Sequence, residues 1–439
     1  VQVNDNPNGM NPDDFSEFLR EFLSKQNGID AEALAKAAGI PNDPKALEQM
    51  LKNFSAAMTA NAEGGNGGVN WKLALDQAKA LAASGSKSIA DADRRSIADA
   101  VSIGTLWLDA VTTVGSLTTE PKLLTRELWV ADSISLFQEL SQPVAERMAT
   151  ALSQTMQQNL PEELDGMMAG AGAFMKAAGG AMFAMQLGQA LGKLSQNVMS
   201  GSDVGLPIFQ ERAAFVPQNL TAFVQELELA PDQATIFLAI REMAFARLFK
   251  NSRWLRDSVV AQISTYASEI SIDTDGLREL AEGADLNDPE QLRAALESGA
   301  LIAKRTEEQE RALASIETLL ALIEGWVEVV TEEATKLLPT AGAISEAVRR
   351  RRAAGGPAEL TFGTLVGLEL RPRRIREAAA LWREVTNAVG AQKRDDLWNH
   401  PDLLPTSEEV DSPGLLLARI NLFGSGDAMD EALKKWLGE

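Results

Sequence analysis

Two long apolar stretches, each with charges set into its middle, constrain this chain more than any other feature. The first runs from Pro231 to Lys250, opens on Pro-Asp as helix N-termini do, and continues through Ile236, Phe237, Leu238, Ile240, Met243, Phe245 and Leu248. Apolar on nearly every side, it reads as a buried helix, and Arg241 and Glu242 lie at its centre. The second runs from Glu307 to Leu338 and carries Leu319, Leu320, Leu322 and Ile323 into Glu324-Gly325-Trp326-Val327-Glu328. Glu324 and Glu328, four residues apart, share one helix face. Burying a charge is costly unless it is paired, so Arg241 and Glu242 require partners from elsewhere in the fold. Two carboxylates on an apolar face call for a cation; the alternative is that this face is the solvated edge of an amphipathic helix.

The rest of the chain is read as predominantly helical, because apolar residues recur at three- and four-residue spacing between breakers. Strand signals are few, the best being Val204 to Val216, where Gly205 and Pro207 punctuate a short apolar run that suits an edge strand or a hairpin. Residues 1–63 form a helical lead-in with Phe15, Phe18, Leu19 and Phe22 on one face, ending at the glycine-rich linker Gly64 to Gly68. Helices follow from Asn70 to Leu160, with Trp71, Trp107 and Trp129 expected as core anchors. Residues 162–203, rich in Gly, Ala and Met, suit closely packed helices. Gln186, Gln189, Lys193 and Gln196 interrupt the apolar run and disfavour the alternative of membrane contact.

Composition removes several function classes. The formal charge of -21 repels a phosphate backbone, so no nucleic acid is expected as a partner. With no cysteine, disulfides, thiolate metal sites and cysteine nucleophiles are all excluded. No phosphate-binding Gly-x-x-x-x-Gly-Lys loop and no Gly-x-Ser-x-Gly elbow occurs, and the single histidine, His400, lies in a turn-like Trp398-Asn399-His400-Pro401-Asp402 and reads as an ordinary loop residue. The polar, acidic opening from Val1 to Asp13 and the lack of a long apolar run place the chain in the cytoplasm by expectation, while the start at Val1 leaves room for a removed segment.

The run Ala239-Ile240-Arg241-Glu242-Met243-Ala244-Phe245, followed by Trp254-Leu255-Arg256, resembles the metal-helix region of the actinobacterial zincin-like metallopeptidase type 2 family. Leu322 to Val330 is similar to that family's downstream Glu-Gly segment, as are the stretches Trp107 to Thr113, Gly205 to Pro207 and Gly367 to Arg373. The resemblance spans Val69 to Leu404 and implies a mainly α fold of the α+β kind: a zincin-like metallopeptidase fold with a small β-sheet and a helical N-terminal element. It divides the chain into the lead-in 1–63, a helical subdomain 64–160, a zincin-like domain 161–410 and a C-terminal tail 411–439. Metal-binding relatives carry His-Glu-x-x-His on the first helix, whose two histidines face zinc together while the Glu takes a proton from zinc-bound water.

Carried over to this chain, the resemblance makes Glu242 a vestigial general base, Glu324 the third metal ligand and Glu328 the carboxylate behind a ligand. Arg241 and Phe245 stand where the two histidines belong, so no cofactor is expected here, zinc being confined to relatives that keep them. Arg241 is expected to replace the lost cation by forking onto Glu324 or Glu328. The implied function is that of an inactive zincin-like binding or scaffold protein with a protein partner; the alternatives are a hydrolase with an unusual site and a membrane-surface protein acting through residues 162–203. Two basic clusters, Arg349-Arg350-Arg351-Arg352 and Arg371, Arg373, Arg374 and Arg376, offer a docking patch, although arginines are also at home at a helix C-terminus.

Overall fold

A computed structural model of the chain describes residues 69–159, 180–181, 183–209, 212–269, 305–353 and 374–421. The N-terminal lead-in, the linker at residues 64–68, residues 162–179 and Gly367 to Arg373 lie outside them. The chain divides into two compact units. One takes Val1–Leu73, Ala145–Ala184 and Ile270–Lys304, and few of its residues are among those described; the other comprises Ala74–Val144, Met185–Glu269 and Arg305–Glu439 and holds every charged residue discussed below.

The described residues are mainly helical, as expected: α1 Trp71–Ala83, α2 Asp91–Asp109, α3 Arg126–Asn159, α4 Pro217–Glu226, α5 Pro231–Asn251, α6 Arg253–Ser268, α7 Glu307–Thr335, α8 Ala341–Ala353, α9 Ile375–Asp396 and the short α10 Ser407–Asp411. Local chemistry sets the two central helices. α5 starts with Pro231 in its first turn, where a missing N–H costs nothing, and pairs Asp232 at its N-terminus with Lys250 at its C-terminus. In α7 a reciprocal cap is closed between Thr306 and Gln309, and Glu307, Glu308 and Glu310 follow in the first turn. Both helices bury residues on almost every side of their middles, which is why they lack a polar face.

α5 packs against α2, α4, α7 and α8, and α7 against α6 and α9. α7 comes close to the backbone of α9 at Gly325, where a Cβ would sit 2.7 Å from Ala379 N and 2.8 Å from the Ala378 carbonyl carbon. Beside this crossing Trp326, Trp382 and Trp398 pack ring on ring, with centroids 6.2 Å apart for Trp326 and Trp398 and 5.4 Å for Trp382 and Trp398. Two of their polar edges are used: Trp382 Nε1 donates to the Leu322 carbonyl at 2.9 Å and Trp326 Nε1 to Asp395 Oδ1 at 2.9 Å. Asp395 also accepts from Thr112 Oγ1 at 2.7 Å, Thr113 N at 2.8 Å and Arg394 Nε at 2.7 Å, while Arg394 Nη2 donates to the Val111 carbonyl at 2.9 Å. Of the tryptophans expected as anchors, Trp129 is buried but Trp71 and Trp107 are only half so.

The sheet is small, as expected, but its geometry differs from the hairpin or edge strand drawn over Val204 to Val216. Among the described residues of that run only Ala214–Phe215 is strand, β2, and it pairs in parallel with β1, Lys122–Leu123. Gly205 adopts a left-handed φ of 75° and Pro207 lacks an N–H, so the earlier part of the run turns instead of extending. Residues 199–201 run along β2 as well: Gly201 N donates to the Ala214 carbonyl and Val216 N to the Met199 carbonyl, both at 2.9 Å.

Candidate functional site

β2, the 199–205 turn, α5, α7 and α8 meet around the charges that the sequence places inside apolar helices. Arg241 on α5 donates through Nη2 to Glu324 Oε2 on α7, and Arg352 at the end of α8 pairs with the other oxygen, Oε1. The Glu324 side chain is 4% exposed, against 18% for Arg241 and 21% for Arg352, so one nearly buried carboxylate is held between two part-buried guanidiniums. Burial lowers the pKa of Arg241, and the carboxylates of Glu328, Asp203 and Glu242 offset part of that loss. Arg352 is brought down to about 10, first by burial and then by repulsion from Arg241. Both remain cations at neutral pH.

Glu242, the neighbour of Arg241 in sequence, has other partners. Its Oε2 accepts from Ser202 N at 2.9 Å and Ser202 Oγ at 2.5 Å, and its Oε1 from Ala214 N at 2.9 Å. The carboxyl therefore ties the 199–205 turn to β2. At 2% exposure, burial raises the pKa of Glu242, while the donors from Ser202, Ala214 and Ser200 pull it back. A small cleft opens here, lined among others by Ser200, Ser202, Arg241, Glu242, Leu238 and Val348.

Glu328 is close to this pair but is neutralised differently from the expectation. Arg349 of α8 donates to it at 3.1 Å, and Arg383 of α9 reaches it at 3.1 Å; both arginines also pair with Glu332 one turn further along α7. Phe245 is buried and stacks on Phe249 at 4.7 Å between ring centroids. The arginine run 349–352 is largely turned inward: Arg351 donates to the Asn197 carbonyl at 2.6 Å and Asp203 Oδ2 at 3.1 Å, and Arg352 to the Asp203 carbonyl at 2.8 Å. Arg350, 78% exposed beside Glu346, is the outward member. Of the second cluster, Arg374 pairs with Asp411 and donates to the Ser407 carbonyl at 2.9 Å, Arg376 is exposed, and Arg371 and Arg373 lie outside the described residues. Sequence reasoning missed Asp203, Ser202 and Arg383, and placed Arg352 in a docking patch instead of on Glu324; the four-arginine run was the available signal, since so much charge beside an acidic helix face can close back on it.

The donors at this point do not fit zinc. A catalytic zinc takes three protein ligands, mostly imidazole, and this chain has one histidine. His400 is 62% exposed, and its Nδ1 accepts from Asp402 N at 3.2 Å to cap a 3-10 turn. Among the described residues no three His, Cys, Asp or Glu side chains are grouped to hold a metal ion.

A mainly helical molecule with two long buried helices and a minimal parallel sheet is consistent with a zincin-like fold. The chain belongs to the zincin-like metallopeptidase family, whose model matches residues 69–416. Its fold is similar to the crystal structure of a proposed hydrolase with a novel fold from Chloroflexus aurantiacus, at 20% identity and a TM-score of 0.56, covering 80% of this chain and 99% of that one. Among curated proteins none matches. No helix among the described residues is long and apolar enough to cross a membrane.

Proposed function

We propose that this chain is a zincin-like protein that works by binding a protein partner and does not carry out zinc-dependent hydrolysis. The observation behind this reading is the Glu324 carboxylate clasped by Arg241 and Arg352. Two guanidiniums neutralise the group that would serve as the third zinc ligand, and a guanidinium, carrying donors only, offers a metal nothing. Glu242, for its part, is spent on Ser202 and Ala214, and a general base without a metal-bound water has nothing to activate.

Zinc titration of designed variants tests this. Arg241→His with Phe245→His puts two imidazoles one helical turn apart, but Arg352 still covers Glu324; the triple variant that adds Arg352→Ala is expected to bind one zinc, and the double variant to bind it far more weakly. Zinc at about a hundred times its dissociation constant stabilises the triple variant by about 2.7 kcal/mol, read from thermal unfolding with and without metal. Stoichiometric zinc and peptidase activity in the wild-type protein would overturn the proposal in favour of a working hydrolase.

A further inference from the structure

We infer that the second half of α8 is an ionic latch over the Arg241–Glu242 cleft, one that swings away when its arginines are screened or displaced. The two halves of this helix are held by different forces. Its start is fixed by Thr340, whose N and Oγ1 donate to Gln233 Oε1 at 3.2 and 2.7 Å, and by Ile344, which is wholly buried. Beyond Ser345 the buried apolar side chain is Val348, which lines the cleft opposite Leu238 and Arg241. Among the described residues the other contacts that hold it there are charged: Arg349 on Glu328 and Glu332, Arg351 on Asp203 and Asn197, Arg352 on Glu324 and Asp203, with Arg351 also 5.4 Å from the Phe223 ring centroid.

These arginine side chains are 32%, 27% and 21% exposed, so ions reach them, whereas the helices they clamp are buried. Arg352 also faces Arg241 across one carboxylate, so repulsion between these like charges offsets part of the hold that Glu324 and Asp203 have on the end of α8. Releasing the three arginines leaves Val348 as the buried apolar contact of this half of α8 among the described residues, and lifting Val348 opens the cleft onto Ser200, Ser202 and Arg241. The device goes beyond the proposed function and stands whether or not the protein hydrolyses anything.

The chain has no cysteine, so a single introduced thiol reports on the cleft without background. In Val348→Cys, labelling by neutral N-ethylmaleimide is expected to run about tenfold faster in about 1 M NaCl, where charges are screened over about 3 Å, than in about 0.1 M. Val329→Cys, buried on α7, is the control whose rate stays low in both. Adding Arg349→Gln, Arg351→Gln and Arg352→Gln to Val348→Cys is expected to give the fast rate at low salt. Amide exchange of the wild-type chain provides a second reading, with residues 346–353 losing protection in salt while 320–331 keep theirs. Salt does not weaken apolar packing, so a latch made of Ile344 and Val348 contacts would not respond. A salt-independent rate at Val348→Cys, or a rise matched by Val329→Cys, overturns the inference, as does unchanged exchange at residues 346–353.

Discussion

Glu242 shows how one side chain can keep its place in a pattern while its surroundings give it different work. Three donors favour its ionised form, burial favours the neutral one, and burial wins: the folded-state pKa lies above the ordinary glutamate value of 4.5. The folded protein therefore binds this proton more tightly than the unfolded chain does. The resulting stabilisation is full below about 4.5 and is lost as pH rises through the higher folded value. Glu242→Gln cannot titrate, and its amide brings donors to face Ser202 N and Ala214 N. The stability of wild type minus that of Glu242→Gln is thus expected to shrink as pH rises above about 4.5, as measured by urea unfolding across a pH series. A difference that grows with pH would mean that the donors, and not burial, control the carboxyl.

At the scale of elements, the crossing of α7 and α9 rests on one missing side chain. A Cβ on Gly325 would meet backbone atoms of Ala378 and Ala379 below 3 Å, and backbone cannot rotate aside. Gly325→Ala is expected to cost about 1–3 kcal/mol through overpacking, despite the roughly 1 kcal/mol that alanine returns in helix propensity. Gly104→Ala on α2 makes a contrast, because its Cβ would meet only the side-chain atoms Met243 Cε and Ile240 Cγ1, which can shift. Denaturant midpoints for the two variants should therefore separate clearly, with Gly325→Ala the lower; equal midpoints would mean that α7 and α9 move apart freely.

For the molecule as a whole, the buried Arg394–Asp395 pair ties together segments far apart in sequence. Asp395 gathers Thr112 and Thr113 from the end of α2 and Trp326 from α7, and Arg394, wholly buried, carries the Val111 carbonyl. Asp395→Ala leaves that guanidinium, set over the Trp326 ring, with the Glu333 carboxylate at 3.3 Å, and is expected to cost about 3 kcal/mol in equilibrium unfolding, the lower end of the penalty for removing one partner of a buried pair. A loss under about 1 kcal/mol, typical of exposed pairs, would show that water reaches the site.

The sequence by itself determined that the chain is helical, that α5 is buried and that Arg241 and Glu242 must find partners, because periodicity and the cost of an unpaired charge act locally; for Glu324 and Glu328 it left a solvated helix edge open beside a buried cation. It also carried the family resemblance over most of its length. Which partner each charge takes was decided only by the tertiary structure. Arg241 and Glu242 are adjacent in sequence, yet one meets α7 and the other meets β2 and the 199–205 turn, because successive helix positions point about 100° apart toward different neighbours. Likewise nothing local distinguishes an arginine run that docks a partner from one that folds back. Arg349, Arg351 and Arg352 turn inward because α8 returns over an acidic face of α7 and the Asp203 turn, a juxtaposition set by the packing of whole helices.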